Sequence, residues 1–172
     1  MTSHSIGTRI YLSGGMEYAD NEGRDWRSMM EQWLEQELGW SVFNPNRESE
    51  RFFDKHYPGV DFRAIKERDM ERYREIVAQL VDTDIREIAE RTDVVVCYWD
   101  EGAARGAGTK GELTMARFFR KPVYMVTTIA PHAIPGWVLG CTTRLFGSFD
   151  QLKTFLRTVA GEERDLSGAE RG

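Results

Sequence analysis

Apolar positions along this chain switch repeatedly between short continuous runs and longer stretches with helical spacing. Arg9-Ile10-Tyr11-Leu12 is a short run ending at Ser13-Gly14-Gly15, which predicts a strand followed by a tight turn. From about Arg24 to Leu38, the residues Trp26, Met29, Met30, Trp33, Leu34 and Leu38 recur with helical spacing, and Gly39 ends that helix as a left-handed cap. Trp40-Ser41-Val42-Phe43 reads as a second strand, stopped by Asn44-Pro45-Asn46. Residues 46–60 are polar but carry Phe52, Phe53, His56 and Tyr57, and are expected to form a long functional loop or lid.

Asp61 can cap a long helix with the stripe Phe62, Ile65, Met70, Tyr73, Val77 and Leu80, and a helical pattern resumes or continues from Asp84. Asp93 to Trp99 is nearly continuous and β-branched, the signature of a strand buried on both faces. A glycine-rich turn over 101–108 follows, then a helix with Leu113, Met115, Ala116 and Phe119 that breaks at Lys121-Pro122. Val123 to Val126 is another buried strand, 127–143 a loop, Arg144-Leu145-Phe146 a last short strand, and Phe149 to Val159 a helix. The length suits one domain, here residues 1–160, with a polar tail over 161–172 expected to be disordered.

Strands that alternate with helices imply a parallel sheet with right-handed crossovers. About five strands fit a flavodoxin-like (Rossmann-like) doubly wound α/β fold, in which the first and third strands are neighbours and ligands sit at their carboxyl ends. The turns Ser13-Gly14-Gly15 and Gly106-Ala107-Gly108-Thr109 should then face each other across one crevice, a plausible cradle for phosphate or ribose.

Charge narrows the ligand. Lys plus Arg is 23 and Asp plus Glu 28, a net −5, with no basic stripe of the kind nucleic-acid polymers require. No apolar run approaches the ~20 residues of a spanning helix, and the N-terminus lacks the apolar core of a signal peptide, so a cytoplasmic protein without membrane contact is expected. Cys97 and Cys141 make no disulfide framework, and His4, His56 and His132 have no metal-ligand spacing; neither metal nor cofactor is expected. Gly-x-Ser-x-Gly and Gly-Lys-Ser/Thr are both missing, which removes the serine-hydrolase elbow and the Walker loop. Trp137, Val138 and Leu139 read either as a base-stacking lid or, preferably, as a surface for a homo-oligomer.

Two carboxylates carry candidate chemistry. Glu112 stands three residues after Thr109, so the pair reads either as a capping box or as a cap plus an ionised carboxylate at the crevice. Asp84 and Glu87 have the same spacing and the same two readings.

The ordered set Ile10-Tyr11-Leu12-Ser13-Gly14-Gly15, Asn44-Pro45, Asp84-Ile85-Arg86-Glu87-Ile88 before a buried strand, and Gly108-Thr109-x-x-Glu112 followed by Lys121-Pro122-Val123 resembles the nucleoside 2-deoxyribosyltransferase family, over roughly residues 9–126. Its relatives include nucleotide N-glycoside hydrolases. The resemblance implies that Glu112 is the nucleophile at the anomeric carbon and that Asp84 contacts the substrate and assists protonation of the leaving base. It also implies a substrate pocket lined by Tyr11, Ser13, Gly14, Gly15, Gly108 and Thr109. One position departs: Gly106 stands where that family often has an aspartate contacting the base, and Asp100 or Glu101 could substitute. The resulting Gly-x-Gly-Thr-x-x-Glu is similar instead to phosphoribohydrolases that release cytokinin bases from nucleotides. Arg27, Arg105 and Lys110 are candidates to hold a 5′-phosphate. The expected ligand is a nucleoside or nucleotide; the alternative to an enzyme is a non-catalytic nucleotide-binding or sensor domain of the same fold.

Overall fold

The computed structural model describes residues 8–169, with 162–169 as backbone only. Five strands among the described residues, β1 (Arg9–Gly14), β2 (Ser41–Phe43), β3 (Val94–Tyr98), β4 (Val123–Val126) and β5 (Arg144–Phe146), form one parallel sheet in the order β2-β1-β3-β4-β5. This is the doubly wound order expected, with β1 and β3 adjacent at the switch point.

The two-residue pleat sorts side chains into two cores. Ile10, Leu12, Val42, Val96 and Val126 pack with Trp26, Met30 and Leu34 of α1 (Arg24–Trp33) and its π-helical extension 34–38, and with Leu152 and Leu156 of α8 (Phe149–Ala169). Tyr11, Phe43, Val95, Cys97 and Met125 point the other way, toward Leu113 and Ala116 of α6 (Gly108–Phe118) and Val138 of α7 (Gly136–Cys141). Gly39 closes the first helix at φ +69°, as expected.

Several segments read as loops are helical. Residues 46–60 are occupied largely by α2 (Pro45–His56), because the Asn44 side chain accepts from the Asn46 amide and Pro45 takes the first helical position. Its aromatics face inward: the Phe53 ring lies 4.9 Å from that of Phe62. The helix capped by Asp61 breaks at Asp69, giving α3 (Phe62–Arg68) and α4 (Met70–Arg86), each with an aspartate cap. The glycine-rich stretch 101–108 contains α5 (Glu101–Arg105), and 127–143 contains a 3-10 turn and α7. Helix α8 runs past Gly161, where the polar tail was expected to begin, as far as Ala169; 170–172 lie outside the described residues. Among the described residues, no helix is long and apolar enough to cross a membrane.

Candidate active site

Alternation along β1 sends Tyr11 and Ser13 to the face covered by α6. Ser13 stands opposite Cys97 on β3, and Tyr11 opposite Phe43 on β2, whose ring stacks on it at 5.1 Å and 13°. Helix α6 starts after Ala107 with no side-chain cap; Thr109 is buried in its first turn and does not form a capping box with Glu112. Glu112, one turn further on, reaches back to β1. Its carboxylate accepts from the Tyr11 hydroxyl at 3.0 Å and, through its other oxygen, from the Ser13 hydroxyl.

Asp84 is not a cap either. The N-cap of α4 is Asp69, and Asp84 sits in the last turn, where the chain passes into a π-helical turn over 87–91. Asp84 is the second carboxyl group whose charge acts on Tyr11, after Glu112, to which the phenol donates. Burial, followed by the nearby Glu112 charge, pushes Asp84 up to about 7; the Tyr11 bond and the Arg27 charge oppose this. Burial also raises Glu112, against the pull of the Ser13 bond, the Arg27 charge and the Tyr11 bond. Tyr11 itself is held well above the usual phenol range, by burial first and then by the charges of Glu112 and Asp84. Donors converge on Glu112, whereas Asp84 has the Glu87 charge against it. The two carboxyl groups are coupled, and the Ser13 and Tyr11 bonds and the Arg27 charge favour the ionised form of Glu112.

A cleft of about 200 Å³ opens onto Asp84 between α2 and α4, lined by Phe43, Pro45, Phe52, Leu80 and Thr83 among others. A wider groove of about 580 Å³ runs along α4 past Tyr73, Val77 and Val81, and borders neither carboxylate. The smaller cleft reaches Asp84 but not Glu112.

The remaining expected site residues divide. Ser13 and Gly14, expected in a turn, instead end β1, and Gly15 after them packs directly on α5: a Cβ there would lie 2.7 Å from the Ala103 nitrogen and 2.9 Å from the Gly102 carbonyl carbon. The facing pair is thus Gly15 and Gly102–Ala103, rather than Gly15 and 106–109, because α5 intervenes after β3. Gly108 opens the α6 N-terminus onto free space. Asp100 caps α5, accepting from the Ala103 amide at 2.8 Å, and so is engaged locally rather than standing in for the residue missing at Gly106.

Each of the three candidate phosphate cations has a partner within the fold, and Arg105 remains exposed. Arg27 is 1% exposed and binds backbone carbonyls, Lys110 donates to the Ala104 carbonyl at 2.7 Å, and the Arg105 guanidinium lies 4.8 Å from the Tyr18 ring centroid. The apolar trio splits as well: Val138 is buried, while the exposed Trp137 donates its indole N–H to Thr114 Oγ1 at 2.9 Å. Sequence reasoning missed Phe43, whose place opposite Tyr11 was implied by the parallel register, and the true partners of Arg27, for which no local signal existed.

No family model matches the chain, and no curated protein matches it. Among solved structures, its fold is similar to that of a 2-deoxyribosyltransferase from Bacillus psychrosaccharolyticus (TM-score 0.59, 19% identity, covering 85% of this chain and 90% of that one). It is also similar to a CMP N-glycosidase from Clostridium botulinum (TM-score 0.51, 14% identity, covering 88% of this chain and 99% of that one). At these identities the likeness is one of fold.

Proposed function

We propose that this chain cleaves or exchanges the N-glycosidic bond of a nucleoside or nucleoside 5′-monophosphate. In this reading Glu112 is the nucleophile and Asp84 the acid that serves the leaving base. The observation that carries it is Glu112 held by the Tyr11 and Ser13 hydroxyls, with the buried Asp84 carboxyl coupled to it. Carboxyl groups whose environments separate their protonation states are what a retaining double displacement needs.

The steps balance as follows. An oxygen of Glu112 attacks the anomeric carbon, and the glycosidic C–N bond breaks with its electron pair passing to the base, which takes the Asp84 proton. A glycosyl ester on Glu112 results. Water or a second base then attacks the same carbon, Asp84 recovers a proton from that nucleophile, and Glu112 leaves as carboxylate. The Ser13 and Tyr11 donors hold Glu112 aligned before attack and stabilise it again on departure. The leaving base fits the cleft beside Asp84, against Phe43 and Phe52. The sugar, or its 5′ end, lies toward Gly14, the open N-terminus of α6 at Gly108 and Thr109, and the acidic flank at Asp100. Deoxyribosyl transfer and cleavage of a CMP N-glycoside, the activities of the two structural neighbours, belong to the same bond class.

Arg27, Arg105 and Lys110 are all engaged within the fold, which favours a neutral nucleoside unless the α6 amides hold a phosphate. A second reading, nucleotide binding without turnover, is favoured by Gly106, which offers no carboxylate to the base. Self-association, the remaining expectation, would use the exposed Trp137 and Phe118. The deciding experiment is incubation with a panel of nucleosides and 5′-monophosphates, with and without a free acceptor base. Released or exchanged base supports the enzyme; thermal stabilisation by ligand with no base released over hours supports the second reading.

A further inference from the structure

We infer that Arg27 is a positioning residue for Glu112: its buried guanidinium, which grips the end of β1 and the loop beyond it, holds that carboxylate and its Ser13 donor in place. The inference rests on the reading of Glu112 as nucleophile. Arg27 donates hydrogen bonds of 2.8–3.3 Å to the carbonyls of Leu12, Gly14, Gly15, Glu22 and Gly23, and to Asn46 Oδ1. Each of these acceptors is neutral. A guanidinium that is 1% exposed and touches no carboxylate among the described residues must have its charge balanced through space. Of the charges acting on Arg27, Glu112 is the strongest, and Arg27 in turn favours the ionised form of Glu112.

The same side chain fixes the geometry. Leu12 and Gly14, whose carbonyls it holds, flank Ser13, and the Ser13 hydroxyl donates to Glu112. Loss of the clamp frees the peptide groups on both sides of that donor. The surrounding backbone is fitted to the guanidinium: a Cβ on Gly14 would lie 2.8 Å from Trp26 and 3.4 Å from Arg27 Nη2. One on Gly23, at φ +66°, would lie 2.7 Å from Arg27 Nη1. The other groups that interact with Glu112 are Tyr11 and Ser13 from β1, Asp84 from α4, and Cys97 from β3. All of these are neutral or acidic, so the positive charge comes from Arg27.

The test is a carboxyl NMR titration of protein carrying isotope-labelled glutamate, with the Glu112 signal assigned by its loss in Glu112→Gln. Arg27→Met should raise the Glu112 midpoint by about one pH unit or more, roughly a tenfold gain in proton affinity. Arg27→Lys keeps the charge but cannot span six acceptors; its midpoint should stay near wild type while base release falls about tenfold or more. An unchanged midpoint in folded Arg27→Met overturns the inference. Should that variant not fold, Arg27→Gln, which keeps some of the hydrogen bonds without the charge, must raise the midpoint instead, and failure to do so overturns it equally. The titration needs no turnover. A wild type that releases no base, yet shows the shift, refutes the proposed function and leaves the Arg27–Glu112 coupling standing.

Discussion

Tyr11 and Glu112 are 101 residues apart in the chain and are joined by a hydrogen bond of 3.0 Å from phenol to carboxylate. That bond ties β1, an interior strand of the sheet, to the helix that covers it. The same hydroxyl favours the ionised forms of both Asp84 and Glu112. In Tyr11→Phe the ring should keep its stack on Phe43, so stability should change by only about 0.5–1.5 kcal/mol. Both carboxyl groups should titrate higher, and kcat/KM should fall by about 10²-fold. A melting curve and a pH–rate profile check this together; an unaltered profile would remove Tyr11 from the mechanism.

Glu112→Gln should be isosteric in the fold, since an amide oxygen can still accept from Tyr11 or Ser13. It cannot form a glycosyl ester that then breaks down. Base release should drop by about 10³-fold or more, with a melting temperature within a few degrees of wild type. Chromatography of the reaction mixture and a thermal melt give the two readings. Turnover preserved in the variant would transfer the nucleophile's role elsewhere.

Much of this arrangement was legible in the chain because the sheet is buried on both faces. Val123 to Val126 and Arg144 to Phe146 read directly as the strands observed, and alternation in Ile10-Tyr11-Leu12-Ser13 already assigns Tyr11 and Ser13 to one face. What hid from the sequence were helices begun by side-chain caps rather than by apolar periodicity. Asn44 before Pro45 looked like a stop signal, but it is the N-cap of α2. Asp100 similarly starts α5 inside a glycine-rich stretch. Spacing alone could not decide between cap and chemistry for Glu112 and Asp84. The choice depended on where each helix starts, at Gly108 and Met70. Arg27 carried no local signal, because its acceptors come from two separate loops and a distant asparagine.

Two glycines of the expected cradle should behave differently. Gly15→Ala places a methyl within 2.7 Å of the Ala103 nitrogen, where rigid backbone cannot yield, so the loop after β1 must part from α5. A loss of about 1–3 kcal/mol is expected, with activity falling alongside stability. Gly108→Ala meets nothing within 4 Å and should leave the melting temperature unchanged. If ligand approaches the α6 N-terminus, that added methyl should raise KM while kcat holds. Steady-state kinetics beside thermal melts separates the two cases, and equal effects at both positions would contradict the packing.

Asp84 should impose a pH dependence on activity and stability alike. Its folded-state value of about 7 lies well above the 3.8 of an unburied aspartate, so the folded protein binds this proton more tightly than the unfolded chain. Between those two values folding takes up a proton, and stability must therefore fall as pH rises through that window and level off above it. Partial exposure and coupling to Glu112 reduce the effect to an order of 2 kcal/mol. Asp84→Asn removes the ionisation: it should flatten the decline and melt higher than wild type on the alkaline side of 7, while losing the proton for the leaving base. Base release by wild type should decline as pH rises through about 7, where folded Asp84 ionises. Denaturant titrations at a series of pH values, on both proteins, measure the slope. A wild-type stability curve that rises from acid to neutral pH, with no difference in Asp84→Asn, would show that Asp84 is ionised throughout and cannot be the acid.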